Sequence, residues 1–234
     1  MTKAHEILKA AQKRKQNALS EYESKMLLSA YGIPVVKDAL ARDWNEARES
    51  ALDIGYPVVL KVSSPEVAHK TEKGLIETDL KNEIDLERAF HRLNERAKGL
   101  DGDFLVQKMI KNTRELVIGM TRDPQFGPCV MFGLGGIFTE VLHDVSFRVA
   151  PIEKRDALEM VREIRGYEIL QAIRGMEAVD LDVLSESIIA LGRIGLEHPV
   201  VQEIDVNPIM VQEGQPVAVD ALVVLKEVGS DLSE

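Results

Sequence analysis

The closing part of the chain carries polar residues inside a strand pattern that is otherwise apolar. In "EIDVNPIMV", Glu203, Asp205 and Asn207 alternate with apolar residues. Successive side chains of a β-strand point to opposite faces, so these three polar groups share one face and the apolar ones share the other. The segment "PVAVDALVVL" follows the turn sequence "EGQ" and is predicted to return as the second strand of a hairpin. The pattern therefore predicts a sheet with one core-facing side and one polar side.

Asp220, on the returning strand, is predicted to meet that polar face from across the hairpin. Three carboxylates and an amide that converge would repel one another unless a cation lies among them. Mg²⁺ prefers such hard oxygen ligands, keeps several waters and recruits substrate phosphates. The alternative is a solvated polar face on an edge hairpin, and the apolar residues that frame each acid weigh against it. The hairpin is therefore interpreted as a magnesium site.

The rest of the sequence alternates strand and helix patterns and predicts an α+β chain with two subdomains. Residues 20–103 are predicted to form the first subdomain, in the order β-α-β-loop-β-α, and residues 104–228 the second. The second subdomain opens with three strand-like runs that suggest an antiparallel meander. Residues 1–19 are predicted to hold an N-terminal helix over 3–18, and residues 229–234 a frayed tail. The other predicted helices cover residues 21–31, 44–54, 83–99, 152–164 and 180–198.

Composition excludes several classes of protein. The formal net charge of −10 argues against binding to a nucleic-acid backbone or an anionic membrane, both of which are negatively charged. The single cysteine, Cys129, excludes an internal disulfide framework and a cysteine-based zinc site. No run of 18 apolar residues and no secretory signal is present, so a cytoplasmic protein is expected.

Several polar residues in the first part of the chain are candidates for binding an anionic ligand. Lys61 interrupts the apolar strand pattern "PVVLKV", where a lysine is poorly placed unless its ammonium reaches an anion; a strand-end lysine that extends to solvent is the alternative. Gln107 and Glu115 each stand among apolar strand residues, where a nucleotide could be recognised. Gly135 and Gly136 could bring backbone N–H groups to a phosphate or form a tight turn.

His69 lies in the polar segment "SSPEVAHKTEK", between a proline and a glycine that could act as hinges. A lone loop histidine is by itself more often a surface residue. Between a phosphate-type lysine and an acidic hairpin, the more economical interpretation is a phosphoryl carrier. A neutral imidazole is nucleophilic near pH 7, where lysine is protonated and serine is a poor nucleophile.

The order of these parts resembles the ATP-grasp fold, in which two α+β subdomains clamp Mg-ATP. More narrowly, the chain is similar to the ATP-grasp (beta) subunit of ADP-forming acetyl-CoA synthetases, relatives of succinyl-CoA synthetase. The matching stretches are "LSEYESKMLLSAYGIPV", "YPVVLKVSSPEVAHKTEKGLI", "RELVIGMTRDPQFGPCVMFGLGGIFTE", "FRVAPI" and "EIDVNPIMV…VAVDAL". They span nearly the whole chain after residue 18.

The resemblance implies an enzyme that converts acyl-CoA, phosphate and ADP reversibly to the acid, CoA and ATP. By this comparison His69 receives the phosphoryl group before ADP does, and Lys61 contacts nucleotide phosphates. Gln107 and Glu115 would line the adenosine pocket, with Gly135 and Gly136 also against the nucleotide. Mg²⁺ would be held by Asn207 and Asp220, with Glu203 and Asp205 close by. Either Asp205 or Glu72 would orient the His69 ring.

The resemblance also implies a partner. The sequence contains no recognisable CoA-binding domain with a glycine-rich strand-to-helix turn. An alpha subunit that carries this domain and a first phosphohistidine is therefore expected, in an α2β2 heterotetramer, and the helix at residues 3–18 could pack against it. Two alternatives stay open: an ATP-grasp carboxylate–amine ligase, and a subunit that only senses nucleotide.

Overall fold

The computed structural model describes residues 2–64, 74–100, 102–111, 114–136, 144–173 and 175–226. The chain divides into two compact units. The smaller unit contains Ser20–Tyr22 and Val36–Ile110, and the larger one contains Met1–Leu19, Glu23–Val35 and Lys111–Glu234. Among the described residues, none of the helices combines the length and the apolar character needed to cross a bilayer.

The smaller unit is a four-stranded antiparallel sheet with two helices. Its strands follow the order β1-β4-β2-β3. Each helix begins at a side-chain cap: Asp43 accepts a hydrogen bond from the backbone N–H of Glu46, and Asn82 accepts one from that of Asp85. The elements are β1 (Asp38–Ala41), α3 (Trp44–Ile54), β2 (Val58–Ser63), β3 (Ile76–Leu80), α4 (Glu83–Arg96) and β4 (Asp103–Lys108).

The core of the smaller unit lies on one face of this sheet. Leu60 and Val62 of β2 and Val106 of β4 pack there with the apolar sides of α3 and α4. Side chains alternate along each strand, so Val59, Lys61 and Ser63 project from the other face. The helices therefore cover one face of the sheet, and the polar residues of β2 lie on the opposite one.

The larger unit is built on an antiparallel sheet of six strands. Five strands follow the order β10-β8-β5-β6-β7, and β9 pairs with the far end of the long strand β8. Leu116, Ile118 and Met120 of β5 face the core together with apolar residues of α5 and α6. The elements are α1 (Lys3–Lys13), α2 (Glu21–Ala30, whose first two residues belong to the smaller unit), β5 (Glu115–Asp123), β6 (Gly127–Leu134), β7 (Val145–Val149), α5 (Lys154–Glu163), a 3₁₀ helix (Tyr167–Leu170), α6 (Leu181–Glu197), β8 (Val201–Gln212), β9 (Gln215–Ala218) and β10 (Leu222–Leu225).

The division into units differs from the sequence prediction at two places. The strand β4 was predicted to open the second subdomain, but it pairs with both β1 and β2, so the smaller unit extends to Ile110 instead of ending at residue 103. The N-terminal helix was predicted to stand apart. Its residues Ala4 and Leu8 are instead buried in the core of the larger unit.

Individual elements also differ from the sequence prediction. The first helix ends at Lys13 rather than at residue 18. Lys15 adopts a positive φ, and the backbone N–H of Leu19 donates to the carbonyl of Val223 instead of continuing the helix. The return strand is broken at residues 219–221 into β9 and β10. The strand β7 was not predicted, and the predicted tail lies outside the described residues.

Candidate functional site

Lys61 is the central polar residue of the smaller unit. It lies in the middle of β2 and is only 2% exposed. Its ammonium donates a hydrogen bond of 2.8 Å to Oε1 of Glu21, and the two side chains are 3% and 1% exposed. An anionic partner of Lys61 therefore exists within the chain itself, as a carboxylate at the first residue of α2, and the contact with a nucleotide phosphate stays a prediction.

This ion pair has a physical cost that needs an explanation. Removing two charges from water costs several kcal/mol per ion, and the mutual attraction of the pair offsets that cost only with good geometry. Such pairs are weak evidence for a purely stabilising role, whereas a charged lysine held in place suits the binding of an anion. Sequence reasoning missed Glu21. The signal was a lysine inside an apolar strand, which requires a carboxylate somewhere in the fold.

Gln107 lies on the same face of the sheet as Lys61. Gln107 on β4 pairs with Val59 on β2, and two residues further along β2 Lys61 pairs with Leu105. Gln107 is 1% exposed. The hydroxyl Oγ of Ser63, two residues after Lys61, is buried and has no hydrogen-bond partner among the described residues. Buried polar atoms are nearly always satisfied, so an unsatisfied donor beside Lys61 is consistent with an absent polar ligand.

The larger unit brings the predicted acidic residues together. Glu203 and Asp205 project from β8 on the side opposite the core residues Ile204 and Val206. Burial, followed by the negative charges of Glu203 and Asp220, together raise the pKa of Asp205 from 3.8 to about 6. Burial and two neighbouring acids disfavour the ionised form of Asp205, so a nearby cation would stabilise it.

The strand geometry explains how these groups meet. The pairing of β8 with β5 shifts between Val206 and Ile209, which leaves Asn207 and Pro208 opposite Val117 alone, a β-bulge. The backbone N–H of Val219 donates to the carbonyl of Pro208 at 3.0 Å. Asp220 follows directly, in the break between β9 and β10, so the loop rather than a continuous strand brings it to the acidic face.

The fit of these residues to Mg²⁺ follows from their chemistry. Among the described residues, no group of three or more His, Cys, Asp or Glu side chains is arranged to enclose a metal ion. Mg²⁺ does not require one, because it is commonly bound by one or two carboxylates, several waters and substrate phosphates. Asn207 adds an amide oxygen on the exposed side of β8. The donor set is therefore suited to a magnesium ion that a phosphorylated ligand completes.

Replacing Asp205 by asparagine is expected to stabilise the chain at pH 8 and to have no such effect near pH 4. The unfolded carboxyl ionises near pH 3.8 and the folded one near pH 6, so the wild type loses stability as the pH rises through this range. With allowance for partial exposure, the gain in free energy of unfolding at pH 8 should be about 1–2 kcal/mol. Urea unfolding at both pH values measures it. Glu213→Gln, in the exposed turn of the same hairpin, is the control and should show no such pH-dependent gain.

Glu115 and the predicted glycines lie together at the start of β5 and the end of β6. The N–H of Gly135 donates to the carbonyl of Glu115 at 2.6 Å. A Cβ on Gly135 would lie 2.9 Å from Cβ of Glu115, and Gly136 has a φ of +62°. The close approach of two chain segments therefore requires glycine at position 135 whether or not a phosphate binds there.

The remaining predicted residues are His69 and Glu72, which lie outside the described residues. The described site residues fall into two sets. Lys61 and Gln107 share one sheet face in the smaller unit, and the larger unit holds Glu115 with its glycines and the acidic face of β8 with Asp220.

Comparison with known proteins defines the class first. Residues 10–225 match the family described as the ATP-grasp domain. The predicted α+β fold of ATP-grasp type is thus confirmed.

The similar proteins narrow the class further. The beta subunit of ADP-forming acetate–CoA ligase I from Pyrococcus furiosus is 45% identical over 230 residues, which cover 96% of this chain and 99% of that protein. ADP-forming acetate–CoA ligase I from Archaeoglobus fulgidus is 46% identical over 86% of this chain, which spans 30% of that longer protein. The chain belongs to the ATP-grasp family and, within it, to the beta subunits of ADP-forming acetate–CoA ligases.

A solved structure agrees with this placement. It is the "dinucleotide forming" acetyl-coenzyme A synthetase 1 of Candidatus Korarchaeum cryptofilum, 39% identical, with a TM-score of 0.85 and coverage of 95% of this chain and 100% of that one. That protein was captured with coenzyme A and Mg-AMPPCP, with its phosphohistidine segment pointing towards the nucleotide-binding site.

Proposed function

We propose that this chain is the nucleotide-binding subunit of an ADP-forming acyl-CoA synthetase, with acetyl-CoA as the prototype substrate. It takes a phosphoryl group on His69 and passes it to ADP, within the overall reaction of acyl-CoA, ADP and phosphate to acid, CoA and ATP. The observation that carries the proposal is the 45% identity to a beta subunit of such a ligase over nearly the full length of both chains. The buried lysine and the acidic face of β8 are the site features expected of this activity.

Each of the two transfers at His69 forms one bond to phosphorus and breaks another. In the first, a lone pair of the neutral imidazole attacks the phosphorus of the donor and the donor's bond to phosphorus breaks. In the second, a terminal oxygen of ADP attacks, the phosphorus–nitrogen bond breaks and the imidazole recovers its lone pair. Phosphoryl transfer depends mainly on in-line positioning and charge neutralisation. Asp205 or Glu72 orients the ring through a hydrogen bond.

Each described site residue has a role in this proposal. The Lys61 ammonium binds nucleotide phosphate oxygens, and Gln107 and Glu115 bind the adenosine part. The backbone at Gly135 and Gly136 lies against the nucleotide. Asn207 and Asp220, with Glu203 beside them, would hold Mg²⁺, which neutralises phosphate charge when it is bound.

A partner supplies the chemistry of the acyl group. The Pyrococcus relative is named a beta subunit, and the Archaeoglobus relative is a single chain about three times as long as the matched part. We infer an alpha subunit that binds CoA and carries a first phosphohistidine, in an α2β2 assembly. The choice of acyl group then resides in that subunit. The complex acts in the cytoplasm, without nucleic acid or membrane.

Isotope exchange between labelled ADP and ATP tests the proposal. A phosphohistidine intermediate on this chain supports Mg²⁺-dependent exchange without acid or CoA. A carboxylate–amine ligase requires its carboxylate for exchange, and a subunit that only senses nucleotide supports none. Exchange that is absent in both the isolated chain and its complex with the alpha subunit, while ATP still binds, would contradict the proposal.

A further inference from the structure

The larger unit contains a cavity that is distinct from the acidic face of β8. Its volume is about 410 Å³, within the usual range for small-molecule sites. One wall is a single face of α1, formed by His5, Leu8, Lys9 and Gln12, whose spacing places them together on a helix. The other wall is residues 197–200, where α6 ends and the chain turns into β8.

A hydrogen-bond network holds the second wall. The hydroxyl of Tyr31 donates to Oε2 of Glu197 at 2.5 Å and lies 2.8 Å from Nε2 of His198. The guanidinium of Arg193 lies 5.6 Å from the centre of the Tyr31 ring and 3.7 Å from Oε1 of Glu197. Both oxygens of Glu197 therefore have donors within this network, and the carboxylate, which also lines the cavity, favours the protonated form of His198.

The end of α6 has a cationic partner. Arg122 donates to the carbonyls of Gly195 at 2.6 Å, Val201 at 3.2 Å and His198 at 3.3 Å. The last carbonyls of a helix carry partial negative charge, and a guanidinium bound to them cancels it. The partial negative charge at the end of α6 is thus compensated by Arg122.

What remains for a ligand is the ammonium of Lys9, the amide of Gln12 and two imidazoles, whose remaining nitrogens donate when the rings are protonated. Within the part of the chain that the structure describes, no hydrogen bond or ion pair engages the side chains of His5, Lys9 or Gln12, or Nδ1 of His198. Leu8, Pro199 and Val200 add apolar surface beside them. Lys9 and, once protonated, the two imidazoles thus place cationic donors on one surface of a chain whose net charge is −10.

We propose that this cavity binds a small organic or inorganic anion, carrying a carboxylate or phosphate group, through His5, Lys9, Gln12 and His198. Charge-assisted hydrogen bonds from lysine and imidazolium are the strong ones for such groups. Any short apolar part of the ligand would lie against Leu8, Pro199 and Val200. The site would serve an effector rather than the reacting nucleotide.

Binding at this site is coupled to proton uptake. Burial lowers the pKa of His198, and the charge of His5 lowers it further, while Glu197 opposes this. Of the other charged or titratable groups nearby, Tyr31 on α2 contacts the ring and Arg193 on α6 lies over Tyr31. Arg122 on β5 donates to the backbone carbonyl of His198, and Lys9 on α1 lines the same cavity. An anion stabilises the protonated imidazoles, so it raises the pKa of His198 and binds more tightly at pH 6 than at pH 8.

Nitrogen NMR of the histidine rings in the full chain tests the proposal. Inorganic phosphate and acetate are titrated separately at pH 6 and pH 8, with sodium chloride at matched ionic strength as the reference. We expect one of the two anions to shift the His5 and His198 signals saturably and to raise the pKa of His198. The arm that saturates at lower concentration identifies the chemical group.

Matched variants make the result decisive. Lys9→Gln should lower the affinity for the anion by about tenfold, which is the effect of removing one charge-assisted hydrogen bond. Lys37→Gln, an exposed lysine of the smaller unit, should leave the affinity unchanged. ADP–ATP exchange should be the same in both variants in the absence of added anion. Signals that respond no more to phosphate or acetate than to chloride, or equal affinity in Lys9→Gln, would overturn the proposal.

Discussion

Replacing Glu21 by leucine is expected to lower the free energy of unfolding of the chain by about 3–5 kcal/mol. The substitution keeps the side-chain volume roughly constant but leaves the ammonium of Lys61 buried without the carboxylate 2.8 Å away. Because the two side chains are only 3% and 1% exposed, water cannot replace the lost partner. Urea unfolding at neutral pH, without nucleotide, measures the loss.

Two further variants separate this effect from general disruption. Glu21→Leu combined with Lys61→Met removes both charges and should recover most of the stability, since well-packed apolar replacements of a buried pair are often neutral. Glu83→Gln removes one partner of the exposed pair with Arg48, 2.7 Å apart and 46% exposed on each side, and should cost less than about 1 kcal/mol. A double variant no more stable than Glu21→Leu would show that the loss does not arise from the buried charge of Lys61 left without Glu21.

The second large effect is expected from Asp220→Asn. The asparagine keeps the size of the side chain and an oxygen that can accept the hydrogen bond from the N–H of Ala221. It removes the negative charge proposed to bind Mg²⁺. We expect the ADP–ATP exchange rate to fall by about 100-fold or more, the usual scale for losing one preorganised electrostatic contact in phosphoryl transfer. Radiolabel exchange at saturating nucleotide and varied Mg²⁺ measures it.

The control for Asp220→Asn is a second carboxylate of the same hairpin. Glu213→Gln removes a carboxylate from the exposed turn between β8 and β9 and should leave the exchange rate unchanged. Urea unfolding shows whether Asp220→Asn retains the stability of the wild type. If Asp220→Asn exchanged label at the wild-type rate with the same dependence on Mg²⁺, Asp220 would not be a metal ligand.

Much of the site could be predicted from local pattern. The alternation of polar and apolar residues in "EIDVNPIMV" is a property of the strand itself, and the structure places Ile204 and Val206 in the core with Glu203 and Asp205 opposite. The cap Asp43 was also predictable, because a capping side chain bonds to the backbone within three residues. For α6 the sequence left Asp180 and Asp182 as alternative caps, and the structure shows Asp180 in that role.

The rest depended on contacts between distant residues. The partner of Lys61 lies 40 positions away, and nothing in the local pattern distinguishes Glu21 from the other acids of α2. The sequence of β4 has the same apolar pattern as the strands of the larger unit. Only its pairing with β1 and β2 assigns it to the smaller unit. Asp220 reaches the acidic face through a break in the return strand, which a continuous apolar pattern at 216–225 concealed.

The most direct test of the central claim is covalent labelling of this chain with γ-labelled Mg-ATP, alone and with its alpha subunit. The wild type should acquire label that is labile to acid and stable to base, as phosphohistidine is, and the label should map to the peptide that contains His69. His69→Asn should bind ATP and acquire none, while His91→Asn, a histidine of α4 in the same unit, should label like the wild type. Equal labelling of His69→Asn, or no label on the wild type in the complex, would contradict the account.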